Sequence, residues 1–172
     1  MKKRVVTGLL LILFVTAFFA AGYVLFNKYN ETYGYDQLSR GYIDRVQYNE
    51  PKVKEEEDIL FFAAQDNKDE DDLKIMVFEK DFLFKSRYRK RYEEVKSENL
   101  NSIYYGTDKD GYVVIFGKNT AESPINSFEV ISSDSEKFDV KEKGTILEVM
   151  KGKAKDIKDL RIEYDQEESN PL

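Results

Sequence analysis

Twenty-two consecutive uncharged residues, Val5 to Phe26 (VVTGLLLILFVTAFFAAGYVLF), follow Lys2, Lys3 and Arg4 in this chain. At about 1.5 Å of rise per residue, a helix of that length crosses a hydrocarbon core of about 30 Å. A helix that is apolar on every side would otherwise need a larger protein around it. The rival reading is a cleaved secretory signal, with a basic start, a short apolar run and a small-residue exit. Here the run is longer, and the one tolerable exit, Ala20-Ala21-Gly22, leads straight into Tyr23-Val24-Leu25-Phe26. A retained anchor is expected.

The three basic residues before the span outnumber Lys28, which is followed by Glu31 and Asp36. Positive charge stays on the cytoplasmic side, so the N-terminus is expected inside and residues 27–172 outside the cell membrane. Tyr23, Tyr29, Tyr33 and Tyr35 suit the water–lipid boundary, where a ring lies among headgroups with its hydroxyl wet. The chain has no cysteine, which excludes attachment through a lipidated cysteine. The expected organisation is a cytoplasmic basic start (1–4), a transmembrane anchor (5–26), a tyrosine-rich linker (27–51), an extracytoplasmic β-domain (52–165) and a flexible tail (166–172).

Absence of cysteine leaves packing alone to stabilise the domain and removes thiolate chemistry. Absence of histidine removes the usual proton shuttle and the commonest metal ligand. Any catalysis would rest on carboxylates, lysine or tyrosine, so a non-enzymatic protein without a cofactor is expected. Taking Lys2, Lys3 and Arg4 from the 27 basic residues leaves 24 against 33 acidic ones, a balance of −9. Such a surface opposes nucleic-acid binding, which requires cations to displace counterions from phosphate.

Beyond Asp58, short runs rich in Val, Ile, Phe and Tyr alternate with polar turns: ILFFAA (59–64), KIMVF (74–78), FLFK (82–85) leading into SRYRKRYEEV, SIYYG (102–106), YVVIFG (112–117), NSFEVIS (126–132), KFDV (137–140), TILEVM (145–150) and LRIEY (160–164). This pattern predicts an all-β fold, an antiparallel β-sandwich or barrel preceded by one N-terminal transmembrane helix. The continuously apolar ILFFAA reads as a strand buried on both faces. Asp110-Gly111 suits a tight hairpin, Pro51 and KVKEEED punctuate the chain before the domain, and a short helix is possible around 154–160.

No constellation carries a specific chemistry. The acidic turn Asp66–Asp72 invites a calcium ion, but Lys68 stands at the third place of the loop pattern and Val77 at the twelfth. The acid pairs Glu93–Glu94, Glu142–Glu148 and Glu163–Asp165 share no frame for glycoside hydrolysis. Asn30-Glu31-Thr32 matches a glycosylation acceptor very close to the membrane. The one charged feature above background is the basic run Lys85–Tyr92. If extended, Lys85, Arg87, Arg89 and Arg91 share one face and offer forked donors to an anionic partner. The same row would also suit a protected edge strand.

The basic start, single span and lysine-, tyrosine- and aspartate-rich β-domain, with the YYGTDKDGYVVIFG hairpin and closing LRIEYDQ strand, resemble small membrane-anchored extracytoplasmic β-domain proteins of low-GC Gram-positive bacteria. The resemblance implies an envelope setting and assigns no residue a role. The expected function is therefore binding of a membrane-protein, cell-envelope or secreted partner, protein or anionic polymer, by a domain anchored in the bilayer through Val5–Phe26. A carboxylate-dependent envelope glycan hydrolase and a structural scaffold of an integral-membrane complex are the alternatives.

Overall fold

The computed structural model describes residues 2–65, 72–97, 99–107, 109–122, 124–131, 135–153, 155 and 161–164. Helix α1 (Lys2–Asn30) is about 44 Å long at 1.5 Å per residue, and every residue of Leu11–Asn30 is exposed, Tyr29 alone packing its ring on the domain. Within it, the Thr16 hydroxyl donates to the Ile12 and Leu13 carbonyls at 3.0 Å, so that polar group needs no water.

Glu31 alone separates α1 from β1 (Thr32–Gly34), which is followed by α2 (Tyr35–Ser39), β2 (Tyr42–Ile43) and β3 (Val46–Gln47). Next come β4 (Asn49–Glu56), β5 (Ile59–Gln65), β6 (Leu73–Lys80), β7 (Arg87–Lys96), β8 (Leu100–Gly106) and β9 (Gly111–Asn119). The last are β10 (Ser127–Ile131), β11 (Glu136–Asp139), β12 (Gly144–Gly152) and β13 (Arg161–Tyr164). Every pairing is antiparallel, in sheets ordered β1-β7-β6-β5-β4, β12-β9-β8, β11-β10-β13 and β2-β3. The all-β fold with one apolar N-terminal helix is the one expected from the strand pattern.

The five-stranded sheet curls over β12-β9-β8. Between them, Phe61 and Ala63 of β5 and Ile75 and Val77 of β6 pack with Val114 and Phe116 of β9. Side chains alternate along a strand, so Leu60, Phe62 and Ala64 of β5 and Val113 and Ile115 of β9 point away from this core. Each outer face has its own cover. Leu60, Phe62, Met76 and Phe78 lie beneath Leu38, Ile43 and Tyr48, whereas Val113 and Ile115 lie beneath Ile125, Phe128 and Val130. Runs such as ILFFAA and YVVIFG are continuously apolar because both faces are buried. Along the β4 and β12 edges, Lys52 meets Glu142 at 2.9 Å, Lys54 meets Glu148, and Lys151 meets Glu57 at 2.9 Å.

Four local expectations need correction. Residues 27–51 are not a separate linker: they complete α1, pair β1 with β7 and supply the lid over the five-stranded sheet. Gly41, with φ of 73°, ends α2 and lets the chain turn back, the Tyr48 N–H donating to the Gly41 carbonyl at 2.8 Å. The charged stretch after Pro51 is strand β4, and Pro51 is accommodated because the β4–β5 register shifts between Asn49 and Lys52 at the sheet edge.

FLFK is a loop, not a strand. The Asp81 carboxylate accepts the Leu83 and Phe84 N–H groups at 2.9 and 3.0 Å, and this turns the backbone out of the sheet. The β8–β9 hairpin exists, but its positive φ of 148° falls at Gly106, with the Thr107 N–H donating to the Asp110 carbonyl at 2.9 Å. The expected tight Asp110-Gly111 turn is replaced by a longer loop between Gly106 and Gly111, which pair with each other. Most of the acidic turn (66–71), the short helix around 154–160 apart from residue 155, and the tail (166–172) lie outside the described residues.

Candidate functional site

The basic run does not form the open arginine row that simple alternation predicts. Lys85 sits in the turn before β7 and is exposed. Arg91 occupies a bulge, since Tyr92 pairs with Val77 and Lys90 with the adjoining Phe78. The bulge reverses which face later residues occupy, so Tyr88 packs under the 27–51 lid whereas Tyr92 packs on the opposite core.

Arg87 and Arg89 instead point at the end of α1. A helix leaves its last carbonyls without intrahelical donors, and its C-terminus carries a partial negative charge. Arg89 answers that need directly at the Lys28 carbonyl, and Arg87 does so through Thr32, whose hydroxyl serves the Tyr29 carbonyl. Arg87 Nε donates to Thr32 Oγ1 at 2.7 Å and Nη1 to the Tyr29 hydroxyl at 3.0 Å, while Nη2 donates to the Thr32 carbonyl. Its guanidinium lies 4.1 Å from the Tyr29 ring centroid, in cation–π geometry. The Thr32 hydroxyl in turn donates to the Tyr29 carbonyl at 2.6 Å. Thr32 is buried, which places the threonine hydroxyl of Asn30-Glu31-Thr32 inside this network.

Arg89 bridges three elements. Nη1 meets Glu31 at 2.7 Å, Nε meets the buried Asp81 at 3.0 Å, and Nη2 reaches the Lys28 carbonyl at 3.4 Å. Burial alone would raise the Asp81 pKa, but the Phe84 N–H, Arg89 and the Leu83 N–H outweigh it and hold the carboxyl below its usual range. Asp81 and Glu31 hold the Arg89 pKa above its ordinary value. Phe84 closes the junction, its ring edge-on to Tyr29 with centroids 5.2 Å apart. Arg91 meets Glu79 at 2.9 Å, and Glu79 also accepts the Tyr105 hydroxyl at 2.9 Å.

A second polar cluster lies under the lid. Lys90 meets Asp44 at 2.6 Å and Glu93 at 2.7 Å, and Glu93 also meets Lys74 at 2.8 Å. Burial and the hydrogen bond to Asp44 push the Tyr33 pKa up to about 12. Comparison with protein-family models, with curated proteins and with solved structures gives no match. Four of the six acids considered for hydrolysis are engaged with lysines, Glu93 with Lys74 and Lys90, Glu94 with Lys96, Glu142 with Lys52 and Glu148 with Lys54, whereas Asp165 and the side chain of Glu163 lie outside the described residues. Among the described residues, no group of three carboxylates is placed to hold a metal ion.

Tyr29, Glu31, Thr32, Asp81 and Phe84 carry this junction, and sequence reasoning singled out none of them as its partners. Their only visible signal is the pairing of a basic run with acids just past the span. The partners from Lys28 to Thr32 stand 55 to 61 positions from the arginines in the chain, so local spacing says nothing about them.

Proposed function

We propose that this chain is a single-pass membrane protein, with its N-terminus cytoplasmic, whose non-catalytic β-domain is held rigidly at the outer membrane surface and binds a partner that is itself membrane-embedded. The observation that carries this reading is the Arg87–Arg89 clasp on Lys28–Thr32. A domain meant to search for distant ligands is served by a flexible tether. Here one residue joins helix to sheet, and two guanidinium groups grip the end of the helix from the body of the domain, Arg89 at the Lys28 carbonyl and Glu31, Arg87 at the Tyr29 hydroxyl and Thr32. Orientation of the span and of the domain are thereby coupled, as a positioning module beside an integral-membrane partner requires. The apolar helix without any buried side supports retention in the bilayer. Because its last turn is built into the domain, cleavage after Gly22 would leave Tyr23–Phe26 projecting from that turn. The envelope setting implied by the sequence resemblance fits the same reading.

The test is photocrosslinking in native membranes from exposed sites such as Tyr35, in the full chain and in an R87Q/R89Q variant. The wild type is expected to capture an integral-membrane protein, and the variant to lose most of that capture while retaining its strand signal in circular dichroism. Undiminished capture by a folded variant, or capture of secreted proteins alone, refutes rigid positioning.

A further inference from the structure

Phe82 is 81% exposed, the most exposed of the large apolar side chains among the described residues, and its neighbour Leu83 is 42% exposed. Both sit at the tip of the loop between β6 and β7, beside the end of the membrane helix. Phe84 of the same loop packs on Tyr29, three residues past Phe26, and three residues of helix rise only about 4.5 Å. The loop therefore lies at the depth where hydrocarbon gives way to headgroups if α1 spans the bilayer.

We infer that the Phe82–Leu83 tip is a second membrane contact, dipping into the lipid interface beside the spanning helix. The inference rests on the transmembrane reading of α1. The tip is held in shape: Asp81 takes the Leu83 and Phe84 N–H groups and is itself held by Arg89. The Arg87 N–H donates to the Phe84 carbonyl at 2.7 Å, and the Asp81 N–H to the Arg87 carbonyl at 2.8 Å. Presenting two apolar side chains thus costs little ordering entropy at the moment of contact. Exposed Lys85 follows the tip and Lys28 lies in the last turn of α1, so cations flank the apolar pair where lipid phosphates lie. The acids nearby are already neutralised, Asp81 by Arg89, Glu79 by Arg91 and Asp58 by Lys80 at 3.1 Å. Two anchoring points, the span and this tip, fix the tilt of the domain on the bilayer.

The chain contains no tryptophan, so single-tryptophan variants report without background. Full-length F82W, F14W and K143W are reconstituted into vesicles of phosphatidylcholine and phosphatidylglycerol. Phe14 marks the span, and Lys143 adjoins the Gly144–Asn119 end of the sheet, opposite the Gly111–Gly152 end. F82W is expected to emit at shorter wavelength than K143W, to resist iodide, and to lose most of its intensity to lipids brominated near the headgroup. F14W is expected to respond to lipids brominated near the bilayer centre. If F14W is quenched while F82W matches K143W, the tip is in water and the inference falls while the span stands. If F82W is blue-shifted but insensitive to brominated lipid, the tip is covered by protein and the inference also falls. If F14W itself fails to respond, the transmembrane reading fails and the inference goes with it.

Discussion

A soluble version beginning at Lys52, the boundary that the sequence suggests, is expected to be far less stable than one beginning at Asn27. The longer version keeps Leu38, Ile43 and Tyr48 over the five-stranded sheet; the shorter one uncovers Leu60, Phe62, Met76 and Phe78, all fully buried in the intact chain. Burial of the removed segment's own side chains is offset largely by the entropy of ordering it, so the retained side chains dominate the difference. Fully exposing four such side chains costs about 6–12 kcal/mol at 1.5–3 kcal/mol each. Neighbours within the sheet continue to shield part of each, so about half of that, 3–6 kcal/mol, is the working figure. Against a domain stability of about 5–15 kcal/mol, this separates a folded protein from a marginal one. Urea unfolding of the two versions measures the difference directly, and binding of a hydrophobic dye reports the uncovered face. Coincident midpoints and slopes, with no dye binding by the shorter version, would refute the assignment of 27–51 as structural cover.

Acid should attack the helix junction and the lid together. Asp81, Asp44 and Glu93 all have depressed pKa values, so the stability they supply is complete above the unfolded carboxylate range near 4 and is lost as pH falls through their folded values. D81N should lower stability at neutral pH by about 3 kcal/mol, through loss of a buried charged partner, and flatten the acid limb in a urea-midpoint-versus-pH series; an unchanged limb would dissociate Asp81 from it. At the alkaline end, Tyr33, Tyr92 and Tyr105 have pKa values raised to about 12 by burial and by acceptance of their hydroxyl protons by Asp44, Glu94 and Glu79. Their contribution is complete below the unfolded phenol value of about 10 and is lost as pH climbs towards about 12, and a phenolate absorbance titration of the folded chain should lag that of the unfolded chain. A titration that coincides with the unfolded curve would contradict the buried geometry.

Much of the architecture was legible because it follows from local pattern. The uncharged run specifies a helix of membrane length, and apolar segments bounded by Gly, Asn and Asp specify β5, β6, β8, β9, β10 and β12 to within about two residues. Burial of ILFFAA on both faces followed from its lack of alternation. Errors arose where a residue's role depends on a remote neighbour. Charged β4 looked like punctuation because an edge strand needs no apolar alternation, and FLFK looked like a strand because the Asp81 turn that bends it is held by Arg89, eight residues on. The lid residues Leu38, Ile43 and Tyr48 recur every five positions, which is neither a helical nor a strand period, and only packing on the sheet assigns their shared face.

The basic run shows the division most clearly. Its composition made it conspicuous, but whether arginines face solvent or acids is a property of topology. Pairing β1 with β7 brings Thr32 opposite Arg89 and Gly34 opposite Arg87, which delivers the end of the apolar helix to both guanidinium groups. Sequence alone therefore determined that this protein has an apolar helix and an antiparallel β-domain, because burial period and segment length are local. Only the tertiary structure decided that the two are clasped together, because each arginine contact that joins them spans more than fifty residues of chain.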